Sequence, residues 1–333
     1  MGKFLLTHGA VAMRVIITGG TGLIGRELAN SLAHDHHEVI VLSRNTNKTS
    51  GFAPGVRVVG WDTKTAAGWG DLADGAGAII NLAGESISGE GFFPNRWSEE
   101  RKRRILQSRI NAGNAVSEAI EQAKVKPKLL VQASAVGYYG ADTGDREITE
   151  DSPAGNDFLA DVCKQWEAST EAVEQLGVRR VVLRIGLPLS LKGGVFTRIV
   201  LPFRLFAGGP FGDGRQYFPW IHMRDFVSAV RFLMDTQSAS GAYNMCAPNP
   251  ITNGEMAKTL GKVMGRPSFM PVPGFGFKLA FGEVGDLVLK GQRQIPKRLR
   301  DAGFQWEFET FEPAARDLLT SKPEPAHEHA AAH

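Results

Sequence analysis

Gly19, Gly22 and Gly25 follow a short β-branched run in "RVIITGGTGLIG", residues 14–25. Gly19 permits a tight turn, Gly22 lets a pyrophosphate approach the backbone, and Gly25 lets the next helix pack close to the strand. The backbone of Thr21, Gly22, Leu23 and Ile24 then presents N–H groups to an anion at a helix N-terminus. The next strand candidate, 38–43, ends at Ser43, Arg44 and Asn45, with Lys48 nearby. An NAD site normally offers an Asp or Glu here, about 20 residues beyond the glycines, for the ribose 2′-hydroxyl. This chain offers a guanidinium, whose planar fork suits a 2′-phosphate. NADP(H) is therefore the expected cofactor. Asp62 either accepts from an adenine amino group or closes a turn. "NLAG", 81–84, ends another strand candidate and puts the backbone of Leu82, Ala83 and Gly84 beside the adenine-side ribose.

Further along, "SAVGYYG" at 134–140 brings Ser134, Tyr138 and Tyr139 to the end of a strand, where a substrate lies in an open α/β sheet. "DFLADVCKQWE" at 157–167 opens a helix with Cys163, Lys164 and Glu167 close together. A lone helical cysteine facing a core is more often a small buried hydrophobe than a nucleophile.

The elements that must position these groups alternate. Strand patterns at 14–18, 38–43, 56–61, 76–84, 128–135 and 178–186 are separated by helical patterns, the clearest at 22–35, 98–123 and 158–176. Such alternation predicts an α/β fold, a doubly wound Rossmann-type parallel sheet. After residue 187 the alternation fails and Gly and Pro thicken at 207–214 and 270–278. This marks a smaller C-terminal substrate lobe. The expected division is a dinucleotide-binding domain at 13–190 and a lobe at 191–320, with 241–246 able to return one strand to the main sheet. Residues 1–12 and 321–333 lack a sustained apolar pattern and read as disordered ends.

Bulk properties narrow the classes. The 333 residues carry a net charge of only +3, with mean hydropathy −0.14. That balance argues against a nucleic-acid partner. The basic run "RWSEERKRR" at 96–104 contains acids and leads into a helix, so it reads as a solvated face. No apolar run reaches the ~18–20 residues of a membrane span. The two cysteines, Cys163 and Cys246, have no metal-ligand spacing and no disulfide framework, which fits the cytoplasm.

"TGGTGLIG", "NLAG", "SAVGYYG" and "WIHMRD" together resemble the short-chain dehydrogenase/reductase superfamily in its extended, sugar-nucleotide-epimerase-like form. "NLAGE", "SRI" (108–110), "FLADVCKQWE", "LPFRLFAGGPFGDGRQYFPWIH" and "NGEMAKTLGKVMGRP" resemble one epimerase-family subgroup with its own small C-terminal domain. That subgroup is sometimes labelled a cell-division inhibitor, a label nothing in these residues supports. The resemblance runs from about Met13 to Leu319.

It implies a catalytic Tyr, a Lys four residues later that lowers its pKa, and a Ser or Thr after the fifth strand. Taking Glu167 as the Glu of the helix pattern, the Lys position falls on Cys163 and the Tyr position on Leu159. The Ser/Thr position falls on Ala135, with Ser134 one place earlier. Lys164 is about 100° around the helix from the Lys position. Three readings stay open. Ser134, Tyr138 or Tyr139 supplies the proton; hydride transfer proceeds without a strong donor; or the chain binds NADP(H) and regulates or senses without chemistry.

The resemblance also implies that Arg109 reaches the cofactor's phosphates or ribose, and that Leu187, just after the sixth strand, runs beside the nicotinamide. Arg215, His222 and Arg224 are the residues it offers to an anionic substrate, ahead of a helix capped by Asp225. The function expected is an NADP(H)-dependent oxidoreductase or epimerase-like enzyme acting on a small polar substrate. No residue here specifies an oligomeric state.

Overall fold

Short apolar runs buried on both faces build the central sheet, as parallel strands require. In the computed structural model, residues 12–89, 91, 95–271, 273–275, 279 and 282–320 are described. The expected disorder of residues 1–12 and 321–333 lies, apart from Ala12, outside them. Strands β1 (Arg14–Thr18), β2 (Glu38–Ser43), β3 (Arg57–Gly60), β4 (Ala78–Asn81), β5 (Leu129–Ala135), β7 (Arg179–Ile185) and β11 (Gly241–Met245) form one parallel sheet. Its order is β11-β7-β5-β4-β1-β2-β3. β1 lies between β2 and β4, with Val15 opposite Val39 and Ala78. The edge strand β11 is the segment whose sequence was compatible with either the sheet or the lobe; it pairs with β7, Tyr243 opposite Leu183.

Helices α1 (Leu23–His34), α2 (Glu99–Gln122), α3 (Phe158–Ala168), α4 (Val195–Arg204), α5 (Met223–Asp235), α6 (Asn253–Met264) and α7 (Phe311–Thr320) pack around it. Leu28, Leu32, Phe226 and Leu233 of α1 and α5 join one core with alternate residues of the sheet. Ala112, Val116 and Ile120 of α2 join the other, with Trp61 and Trp69. A third core, built from Phe196, Phe203, Met256, Leu260 and Phe311, holds α4, α6 and α7 together.

Two-stranded pairs tie the lobe to the sheet edge. β8 (Leu187–Leu189) pairs with β10 (Trp220–His222), and β9 (Tyr217–Phe218) with β12 (Ile251–Thr252). β6 (Glu147–Ile148) pairs with β13 (Arg293–Gln294), so the end of the chain returns beside the loop that follows β5.

One helix is shorter than its periodicity suggests. The pattern over 158–176 breaks after Ala168, and Glu171–Leu176 forms a 3₁₀ turn. Ser169 Oγ donates to the Trp166 carbonyl at 2.7 Å and Thr170 Oγ1 to the Glu167 carbonyl at 3.4 Å. Such hydroxyl back-bonding competes with the helix ladder.

Candidate active site

The glycine loop owes its shape to backbone contacts that no side chain could share. A Cβ on Gly25 would lie 2.5 Å from Gly20 Cα, and one on Gly19, whose φ is +65°, would lie 2.8 Å from the Leu82 carbonyl. Gly22 is exposed and serves as the α1 N-cap without any side-chain hydrogen bond. The first N–H groups of α1, including those of Leu23 and Ile24, are therefore left to an outside acceptor. Half-buried Thr21 completes the loop.

A buried polar chain, announced by no motif, holds the neighbouring strand ends in register. Thr18 Oγ1 donates to Asn81 Oδ1 at 2.6 Å, and Asn81 Nδ2 donates to Gln132 Oε1 at 2.9 Å. Thr18 Oγ1 also accepts from the Leu82 and Ala83 N–H groups, each at 3.1 Å. This fixes "NLAG" against the glycine loop. The available signal was one polar residue at the end of each of three apolar runs.

At the end of β2, buried Ser43 turns its hydroxyl onto Asn45. Arg44 is exposed, and no acidic residue follows the strand before Lys48. Asp62 closes the turn after β3. Its carboxylate accepts from the Lys64 and Thr65 N–H groups at 2.7 and 2.9 Å and from the Thr65 hydroxyl. Those backbone donors hold its pKa below the usual carboxylate value. The cradle, open α1 terminus and basic β2 end fit a dinucleotide carrying a 2′-phosphate.

The groups around α3 behave differently. Glu167 pairs with Arg184 through both oxygens, at 3.0 and 3.1 Å, and accepts the Ser134 hydroxyl at 2.6 Å. Arg184 also donates to Tyr139 Oη at 3.0 Å and to the Glu150 carbonyl at 3.2 Å, and Tyr139 donates to Asn244 Oδ1 at 2.7 Å. Burial raises the Tyr139 pKa above its ordinary value despite the adjacent guanidinium. For Arg184, burial works against the charge, but Glu167 and Tyr139 outweigh it and hold the pKa above the usual guanidinium value. Ser134 and Tyr139, both expected at the chemistry, are instead saturated parts of a buried network. Tyr138 differs: it is half-buried, its ring lies 3.5 Å from Arg184 Cζ, and its hydroxyl bonds to none of the described residues.

Leu159 is half-buried against Gly137. Cys163 is buried, its Sγ 3.7 Å from the Ala135 carbonyl, and burial with the Glu167 charge pushes its pKa up to about 11. Lys164 is exposed and pairs with Asp161 at 2.6 Å, so it cannot replace the absent Lys. Arg109, from α2, lies with Cζ 4.9 Å from the Trp166 ring centroid and close to Gly84. Leu187 opens β8 and is half-buried.

Two expected substrate contacts are structural. His222, not Asp225, caps α5: its Nδ1 accepts the Arg224 N–H at 3.1 Å, and its Nε2 lies 3.3 Å from Asp317. Arg224 pairs with Asp317 at 2.6 Å and Glu307 at 3.2 Å. Both side chains clamp the end of the chain, and Asp225 does the same by accepting the Glu307 and Phe308 N–H groups at 2.7 and 3.0 Å. Arg215 is exposed, its backbone N–H on Asp213 Oδ1. Among the described residues, no helix is long and apolar enough to cross a membrane.

Residues 15–246 match the NAD dependent epimerase/dehydratase family, and residues 272–318 match a domain of unknown function, DUF1731. The chain is 38% identical over 310 residues to the chloroplastic epimerase family protein SDR39U1 homolog of Arabidopsis thaliana, covering 92% of this chain and 87% of that one. It is 38% identical over 311 residues to the epimerase family protein YfhF of Bacillus subtilis, covering 93% and 99%. Among solved structures, human epimerase family protein SDR39U1 (isoform 2), crystallised with NADPH, superposes with a TM-score of 0.80 at 33% identity, covering 93% of this chain and all of that one.

Proposed function

The chain belongs to the NAD dependent epimerase/dehydratase family, and we propose that it is an NADP(H)-binding oxidoreductase or epimerase-like enzyme for a small polar substrate. The observation that carries the cofactor choice is exposed Arg44, at a β2 end with no acid, beside the uncapped α1 terminus. The human relative crystallised with NADPH supports the same choice.

In this reading the α1 N–H groups at Leu23 and Ile24 hold the pyrophosphate, next to Thr21 and Gly22. Ser43 and Arg44 receive the 2′-phosphate, Asp62 uses its remaining lone pair on the adenine, and Leu82–Gly84 flank the ribose. Leu187 borders the nicotinamide end. When bound, NADP(H) supplies or accepts the hydride. The substrate lies between the carboxyl edge of the sheet and the C-terminal lobe, with Arg215 free to meet it. Tyr138 is the proton donor of choice, because it alone of the three named hydroxyls acts without breaking a buried bond. A second reading, a non-catalytic NADP(H)-dependent regulator, draws support from Leu159 and Cys163 at the Tyr and Lys positions.

Titration with NADPH and NADH, followed by fluorescence, tests the first step. Arg44→Ala should weaken NADPH binding by about 10- to 100-fold, the worth of lost charge-assisted bonds, and leave NADH binding unchanged. Tighter wild-type binding of NADH sinks the cofactor assignment. A metabolite panel read by nicotinamide absorbance separates enzyme from regulator, and turnover that survives Tyr138→Phe removes Tyr138 as the donor.

A further inference from the structure

The first turn of α3 carries hydrocarbon where the superfamily pattern carries a proton donor, and aromatic rings gather around it. We propose that this wall receives a small quinone, whose reduction by hydride needs no strong acid. The proposal rests on the NADP(H) reading above and deepens it by naming the substrate class.

The wall comes from three segments at the carboxyl edge of the sheet, where ligands of open α/β folds bind. Phe158 and Leu159 open α3, Tyr138 lies in the 3₁₀ turn directly after β5, and Trp97 ends the loop between β4 and α2. Trp97 meets Phe158 edge-to-face, with ring centroids 5.2 Å apart, and its Nε1–H is spent on the Ile87 carbonyl at 2.8 Å. A Cβ on Gly137 would lie 3.2 Å from Leu159 Cβ, so this glycine lets Leu159 close on the turn that carries Tyr138. All four side chains are half-buried, and each keeps some exposed surface. A planar apolar ring packs well against such a surface.

Proton chemistry then selects the class. A hydride added to an isolated ketone leaves an alkoxide, a strong base that needs an acid at its side. Leu159 has no proton to give. The Cys163 thiol faces the Ala135 carbonyl, and burial with the Glu167 charge pushes its pKa up to about 11. Ser134 is bound to Glu167, Tyr139 to Asn244 and Lys164 to Asp161. Tyr138 keeps a free hydroxyl, but none of the described residues is bonded to it to return a proton. A quinone avoids the demand. The hydride pair bonds to one carbonyl oxygen, the ring becomes aromatic, and the second oxygen keeps the negative charge. Delocalisation weakens that base, so water or the Tyr138 hydroxyl protonates it. The quinone gains two electrons and becomes a hydroquinone; the electrons come from NADPH, which is left as NADP+.

The test compares two substrates of similar size. NADPH-loaded protein should reduce naphthoquinone above the rate without protein. It should do so at least about 100-fold faster than it reduces 2-tetralone, whose adduct is an alkoxide; that gap is the worth of a general acid. Binding is read separately. Naphthol, which accepts no hydride, should bind the NADP+-loaded protein in calorimetry. Phe158→Ala should weaken that binding by about 3- to 10-fold, the worth of one aromatic contact, and leave NADPH affinity unchanged. The unchanged affinity also reports an intact fold. Comparable turnover of the ketone would overturn the proposal, because a strong donor would then be present. Loaded protein that reduces no quinone would overturn it too, and so would naphthol binding indifferent to Phe158→Ala. Each of these outcomes leaves the cofactor reading standing; protein that binds no NADPH sinks that reading itself.

Discussion

Arg184 and Arg109 both reach α3, one from strand β7 and the other from helix α2. Arg184 is sealed: Glu167 neutralises it through two oxygens, and Tyr139 and the Glu150 carbonyl take further donors. Arg109 is held by two carbonyls and an indole face, and among the described residues no carboxylate hydrogen-bonds to it. A buried charge neutralised and hydrogen-bonded at each of its three nitrogens fixes geometry. A charge left open beside a cleft is available to a ligand. The difference separates a part of α3 tied into a buried network from a part that carries a guanidinium without such a seal.

Breaking the sealed side should have the largest effect. Arg184→Ala leaves the largely covered Glu167 carboxylate without its counter-charge and should cost about 3 kcal/mol of stability in denaturant unfolding. Arg109→Ala should cost less, about 1–2 kcal/mol, because it loses two carbonyl bonds and an indole contact but no close ion pair. Similar losses from the two would erase the distinction.

Next comes the thiol beside these groups. With its pKa pushed up to about 11, Cys163 should hold roughly one thiolate in a thousand at pH 8. A disulfide reagent should therefore label native Cys163 about 100-fold more slowly than an ordinary thiol. Its rate should rise roughly tenfold per pH unit up to the pKa, because only the thiolate reacts. Rapid labelling at neutral pH would mean that Arg109 dominates the site and that Cys163 is no inert core residue.

The smallest change sharpens the contrast between neighbouring tyrosines. Tyr139→Phe removes a buried hydroxyl that bridges Arg184 and Asn244, and should cost about 1–2 kcal/mol. Tyr138→Phe should stay within about 0.5 kcal/mol of wild type and act only on turnover. A thermal or denaturant melt of each variant measures this.

The cofactor end was legible because its signals are local. A glycine triplet between strand and helix, and the absence of an acid after β2, can be read within a few residues. The chemistry end was not. Ser134, Tyr139, His222 and Arg224 are residue types that serve catalysis, substrate binding or scaffold alike. Their partners, Glu167, Asn244, the Arg224 N–H and Asp317, decide which, and most of these lie far away in sequence. The break after Ala168 was hidden for a related reason: apolar periodicity continues through 173 while two hydroxyls turn the backbone.

Residue order alone established the alternation of strands and helices, the glycine cradle, the basic β2 end and the loss of Tyr and Lys from α3. Each depends on residue type, spacing and the backbone's own geometry. Three further facts came with folding: β11 completes the sheet, two of the three candidate hydroxyls are consumed by buried bonds, and Arg109 comes to rest on Trp166. Burial and charge pairing are properties of neighbours in space, and the chain acquires those neighbours only when it folds.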